Sequence, residues 1–174
     1  MRKTASLLLT VLVAGCTPDQ DGTTLDASRL TAPLFEVRGD HFRTHATGGE
    51  EVPANSSLAQ GQAMFQLSGD GTTLSYKLIV ANIENVTQSH IHLAPAGSNG
   101  GIVVWLYPSA PPSQLIPGRS QGVLAEGEIT SANFVGALAG MSMEDLLGHL
   151  RSGNAYVNVH TTQFPPGEIR GQVR

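Results

Sequence analysis

Six histidines occur in the 174-residue chain, and three of them fall in two short stretches whose spacing suits a metal site. His90 and His92 stand two residues apart in VTQSHIHL (86–93), in the middle of the motif SHIHLAPAGSNGG. Side chains alternate along a strand, so the two imidazoles point the same way, with Cα atoms roughly 6.5 Å apart. His160 stands in AYVNVHT (155–161), on the face of Tyr156 and Asn158 and opposite Ala155, Val157 and Val159. If the two strands are neighbours, His90, His92 and His160 form a three-nitrogen site. Imidazole suits copper or zinc; an open fourth position permits chemistry, and a closed one favours a structural role. Ligation needs neutral imidazole, so binding is expected to weaken as the pH falls through roughly 6.5. The competing reading is bracing, with each histidine donating to a backbone carbonyl beside a loop. HxH spacing alone does not separate the two.

The remaining polar candidates read as structural. His41 and His45 lie near the first strand and His149 on a helix, as solvated or capping histidines. In PPGEIRGQ, Pro165 and Pro166 fix a turn and Gly167 can take a positive φ. Glu168 and Arg170 follow, two apart on one strand face. Arg170 is expected to pair with an acid on a neighbouring strand and so pin the register. Glu50 and Glu51, before Pro53, read as loop charges.

The elements that must position these residues are mostly strands. Short apolar or alternating runs recur between turn residues at 42–46, 61–68, 73–81, 86–93, 101–107, 122–130, 155–161 and 168–174. One helix is expected in SMEDLLGHLRSG. Ser142 is its N-cap, Glu144 and Asp145 fill its first turn, Leu146, Leu147 and Leu150 form its apolar stripe, and Gly153 stops it. The expected fold is all-β: an antiparallel Greek-key sandwich or barrel with one short inserted helix.

The N-terminus, MRKTASLLLTVLVAGC, has a basic start and a short apolar run from Leu7 to Val13. That run is far shorter than the roughly 20 residues of a spanning helix, so it reads as a secretory signal. Val13-Ala14-Gly15-Cys16 resembles the lipobox of bacterial lipoproteins, in which the cysteine is lipidated, and Cys16 is the only cysteine. Residues 1–15 are then a signal peptide, 16–38 a lipidated cysteine with a polar tether, and 39–174 one domain. Without Arg2 and Lys3, 8 basic and 14 acidic residues leave a net charge of −6. No basic cluster exists, which argues against nucleic acid as a partner. Membrane attachment would come from the lipid on Cys16, placing the protein outside the cytoplasm on a bacterial outer membrane or cell surface.

Three segments, EVPANSSLAQGQAMFQL, LSYKLIVANIENVTQSHIHLAPAGSNGGIVVWL and YVNVHTTQFPPGEIRGQV, resemble the CHRD domain, the module named after chordin. The resemblance covers about residues 40–174. It implies an extracellular module of undefined activity, with an immunoglobulin-like barrel likened to copper/zinc superoxide dismutase. That likeness includes His90-Ile91-His92, since the dismutases carry two copper ligands as HxH on a strand. The chain departs from the dismutase pattern in two ways. Between Leu93 and Arg119 it has no His, Asp or Glu for a zinc site, and its single cysteine forbids the dismutase disulfide. A bridged metal pair is therefore excluded on ligand count, and a lone site of His90, His92 and His160 is what ligand count permits.

No nucleophile-elbow motif appears, so the reading leans away from an enzyme. The leading expectation is a non-enzymatic, lipid-anchored, extracytoplasmic binding module for a protein, a glycan or a metal ion. The alternative is a mononuclear copper or zinc protein, with redox activity open, built on His90, His92 and His160.

Overall fold

The computed structural model describes residues 40–174. The signal peptide, Cys16 and the tether lie outside the described residues. The strands are β1 (His41–Thr47), β2 (Gln60–Leu67), β3 (Leu74–Leu93), β4 (Gly101–Tyr107), β5 (Ile116–Ile129), β6 (Ala155–Thr161) and β7 (Ile169–Gln172). The one α-helix among the described residues is α1 (Met143–Arg151). As expected, Ser142 caps it: its Oγ accepts from Asp145 N, and Asp145 Oδ2 accepts from Ser142 N at 2.9 Å. Leu146, Leu147 and Leu150 are buried in the hydrophobic core.

All strand pairings are antiparallel. The order β2-β1-β7-β6-β3-β4, with β2 also paired to β3, closes β1, β2, β3, β6 and β7 into a ring. The antiparallel barrel with one short helix is the expected fold class. It has seven strands rather than eight, because the runs at 73–81 and 86–93 form one 20-residue strand. Asn82 and Asn85, at φ 56° and 54°, kink β3 between its halves. Asparagine adopts this left-handed conformation more readily than other side-chain-bearing residues. The first half of β3 pairs with β2 and the second with β6, so the kink lets one strand turn the corner of the barrel. β5 starts six residues earlier than the sequence pattern indicates, pairing along both halves of β3.

The core contains Ala63, Phe65, Leu78, Val80, Ile91, Val157, Val159 and Ile169, all nearly inaccessible to solvent. Strand β6 is buried on both faces. One face meets this apolar core. The other meets a second, polar interior layer, and that layer holds the histidines.

Candidate metal centre

Register assembles the polar layer. His90 lies opposite Asn158, His92 opposite Tyr156 and Gln88 opposite His160 across the β3–β6 pair. Asn158 lies opposite Arg170, and Tyr156 opposite Gln172, across β6–β7. Trp105 lies opposite His90 on β4. Directly opposed residues share a sheet face, so these side chains gather on one side while Ile91, Val157 and Val159 go to the other. The expected strand adjacency is therefore present. Val86 departs from simple alternation: it belongs to the core, because register shifts at Glu84/Val86 and Val86/Gln88 interrupt the two-residue period.

His90, His92 and His160 are 0%, 7% and 6% exposed. One nitrogen from each lies within 4.8 Å of the others, and three such atoms share a point within about 2.8 Å of each, against metal–nitrogen bonds of roughly 2.0–2.1 Å. His41, His45 and His149 take no part in the cluster.

The hydrogen bonds fix which nitrogens are free. His92 Nδ1 lies 3.0 Å from Gly100 O, and His160 Nδ1 lies 2.9 Å from Pro165 O. A carbonyl only accepts, so both Nδ1 atoms carry the proton and both Nε2 atoms present a lone pair. His90 Nδ1 stands 3.3 Å from His160 Nε2, so the His90 Nδ1–H donates to that lone pair. The Nε2 of His90 is buried without a partner, and that of His92 has only the Asn158 side chain beside it. Unpaired buried nitrogens are costly, and metal-ligating histidines commonly donate their other N–H to a backbone carbonyl. His90 faces His160 through Nδ1, so an ion shared by the three rings would take His90 at Nδ1, with its proton moved to Nε2, and would replace the hydrogen bond to His160.

Burial holds the rings neutral. It pushes His90 down to about 3, with the fields of His160 and then His92 adding to the effect. His92 falls to about 4, chiefly through burial and against the Gly100 carbonyl, which favours its charged form. His160 is also lowered by burial, against the Pro165 carbonyl. Protons therefore compete for His90 and His92 near pH 3 to 4, and for His160 below its ordinary range, so acid weakening of any metal binding would lie below the expected 6.5.

Two loops roof the histidines. Gly100 accepts from His92 and its own N–H donates to Tyr156 Oη at 3.2 Å. A Cβ on Gly100 would stand 1.9 Å from Leu93 O, so the chain admits only glycine there. This gives the glycine-rich segment a local purpose: backbone laid close over a ligand. On the other side the turn before β7 places Pro165 O on His160, and Gly167 at φ 142° sits against Glu51 and Asn158.

Aromatic and charged neighbours complete the layer. Tyr156 stacks on His92 with centroids 4.8 Å apart and planes 7° apart. Half-buried Trp105 meets His90 edge-on at 4.3 Å. Arg170 is 1% exposed, with Cζ 3.5 Å from the centroid of Tyr156. Its guanidinium donates to Ser98 O at 2.7 Å, to Asn99 Oδ1 at 3.1 Å and to Pro95 O at 3.4 Å. The acid expected to pair with it is absent: among the described residues no carboxylate lies within ion-pair distance. Loop carbonyls take that place, so Arg170 fastens the glycine-rich loop to the sheet rather than pinning strand register. Glu168, two residues before, accepts instead from Ser57 Oγ and Thr161 Oγ1, both at 2.7 Å.

Glu51 corrects the reading of a loop charge. It is 8% exposed, its Oε1 has no partner, and burial pushes it up to about 7 against the pull of Arg170. No local signal marks it, since its burial depends on a loop folding over β6 and β7. A surface cavity of about 450 Å³ is lined by Leu58, Arg119, Phe164 and Glu168 among others, with no histidine. The histidine centre is a closed site of ionic size, separate from that cavity.

No curated protein and no solved structure matches the chain. A family model does: that of the CHRD domain, over residues 42–173. That span takes in the helix and all seven described strands but for the first residue of β1, together with His90, His92 and His160, and the chain belongs to the CHRD domain family.

Proposed function

We propose that this CHRD domain is a mononuclear transition-metal-binding module whose ligands are His90, His92 and His160, with copper or zinc as the ion. The observation that carries the reading is the convergence of three buried imidazoles, one nitrogen of each within 4.8 Å of the others, two of them oriented by backbone carbonyls. Gly100 O and Pro165 O would orient two ligands, and Tyr156 and Trp105 would exclude water. The N-terminal sequence supports a tethered protein acting outside the cytoplasm, with the lipid on Cys16 as its membrane contact.

Elemental analysis tests the metal. Protein equilibrated with copper or zinc and desalted should retain one ion per chain, and His90→Ala and His160→Ala should each retain less than a tenth of that. Retention of a full equivalent by both variants would refute the site.

A further inference from the structure

Resting on the three-histidine reading, we propose that the centre is built for a monovalent ion, copper(I), and discriminates against zinc(II) and copper(II). The argument is one of charge. The converging donors are three imidazoles, with no carboxylate or thiolate among them. Neutral ligands leave the whole charge of a bound ion uncompensated, in a layer almost closed to solvent. Burying charge away from water is costly, and the cost rises steeply with the charge.

A fixed positive charge stands beside the site. The Tyr156 ring packs against both the Arg170 guanidinium and His92, so the guanidinium lies at most roughly 8 Å from the His92 ring, close enough to act through a poorly screened interior. Arg170 cannot shed its proton; its direct partners are carbonyl and amide dipoles of the loop, with buried Glu51 close enough to feel its charge. Its repulsion acts once on a monovalent ion and twice on a divalent one.

Neither acid of this layer is a donor to the site. Glu168 has both carboxylate oxygens bound by Ser57 and Thr161. Glu51 is buried beside Asn158 and Gly167 and is not among the groups that converge with the histidines. Copper(I) needs neither a fourth ligand nor an anionic one, and three imidazoles in a dry pocket meet its demands. Zinc(II) in such a set would have to bring a hydroxide or another anion with it.

The test is a pair of competition titrations on the full chain in detergent. Copper(I) is titrated anaerobically against bicinchoninate, and zinc(II) against a fluorescent zinc chelator of known affinity. Copper(I) should bind at least a thousand-fold more tightly than zinc(II). Copper-loaded protein should stay silent in electron paramagnetic resonance after hours in air. Arg170→Gln should narrow the copper(I)/zinc(II) gap by at least ten-fold, and Arg170→Lys should preserve it. Zinc(II) within ten-fold of copper(I), or a copper(II) signal in air, would overturn the proposal. An unchanged gap in a folded Arg170→Gln protein would overturn it too. If Arg170→Gln does not fold, the wild-type affinity ratio and the resonance spectrum still decide. Failure to bind either ion would instead refute the three-histidine reading itself.

Discussion

His92 does two jobs with its two nitrogens, and they can be separated by measurement. Nδ1–H serves the Gly100 carbonyl while the ring stacks on Tyr156, whether or not an ion is present. Nε2 has only the Asn158 side chain beside it without one. His92→Ala should therefore lower the stability of the metal-free protein by about 2–4 kcal/mol, from lost packing and an abandoned carbonyl. It should also remove the stabilisation that a bound ion adds, about 4 kcal/mol at a thousand-fold excess over Kd. Thermal melts with and without metal should show the larger loss with metal. An equal loss in both states would assign the histidines to bracing alone. The companions of His92 were harder to foresee than His92 itself. Strand periodicity puts Tyr156, Asn158 and His160 on one face, but Arg170 and Glu51 reach this layer through loop contacts far apart in sequence. The partners of Arg170, at Pro95, Ser98 and Asn99, lie more than 70 residues away and are carbonyls and an amide, which leave no charge pattern to read.

At the scale of elements, β3 and the loop after it set the centre. The HxH pair was legible because the strand alternates from Gln88 to Leu93, where it pairs with β6 in unbroken register. The continuity of β3 was not, because Asn82 and Asn85 resemble turn residues, whereas here they kink a strand without ending it. The helix was legible from its cap and stripe, both local features. The loop after β3 depends on Gly100. Gly100→Ala would drive a Cβ into Leu93 O, and a backbone clash of this kind is relieved only by moving the loop. The variant should lose about 2–4 kcal/mol of stability and bind metal at least ten-fold more weakly, since the carbonyl that orients His92 moves with it. Ser98→Ala, two residues away and bonded through its backbone N–H and carbonyl rather than its side chain, should change neither quantity. A Gly100→Ala protein with wild-type stability and affinity would show that the loop has no part in holding the ligand.

For the whole molecule, the buried histidines make stability depend on pH. The native values of His90 and His92, about 3 and 4, and the lowered value of His160 all lie below the 6.5 of an unfolded chain. As the pH falls below 6.5 the unfolded chain takes up protons that the native protein refuses. The metal-free fold then loses up to about 1.4 kcal/mol per pH unit for each histidine. Glu51 acts in the opposite sense, since its native value near 7 lies above the unfolded 4.5 and its contribution is lost as the pH rises through that window. Three histidines outweigh one glutamate, so the melting temperature of the metal-free protein should rise from pH 4.5 to 6.5 and level off above it. Metal affinity of the native state should hold as the pH falls through 6.5 and weaken only at lower pH, because all three histidines are lowered. A melting temperature that drops as the pH rises from 4.5 to 6.5 would mean that the histidines are not held neutral in the fold.

The convergence of three imidazoles on one ion is tested most directly by X-ray absorption of the metal-loaded protein. The account predicts a first shell of nitrogen scatterers at roughly 2.0 Å with the outer-shell pattern of three imidazoles, reduced to two in His160→Ala. A first shell with fewer than two imidazoles, or a spectrum unchanged in that variant, would contradict it.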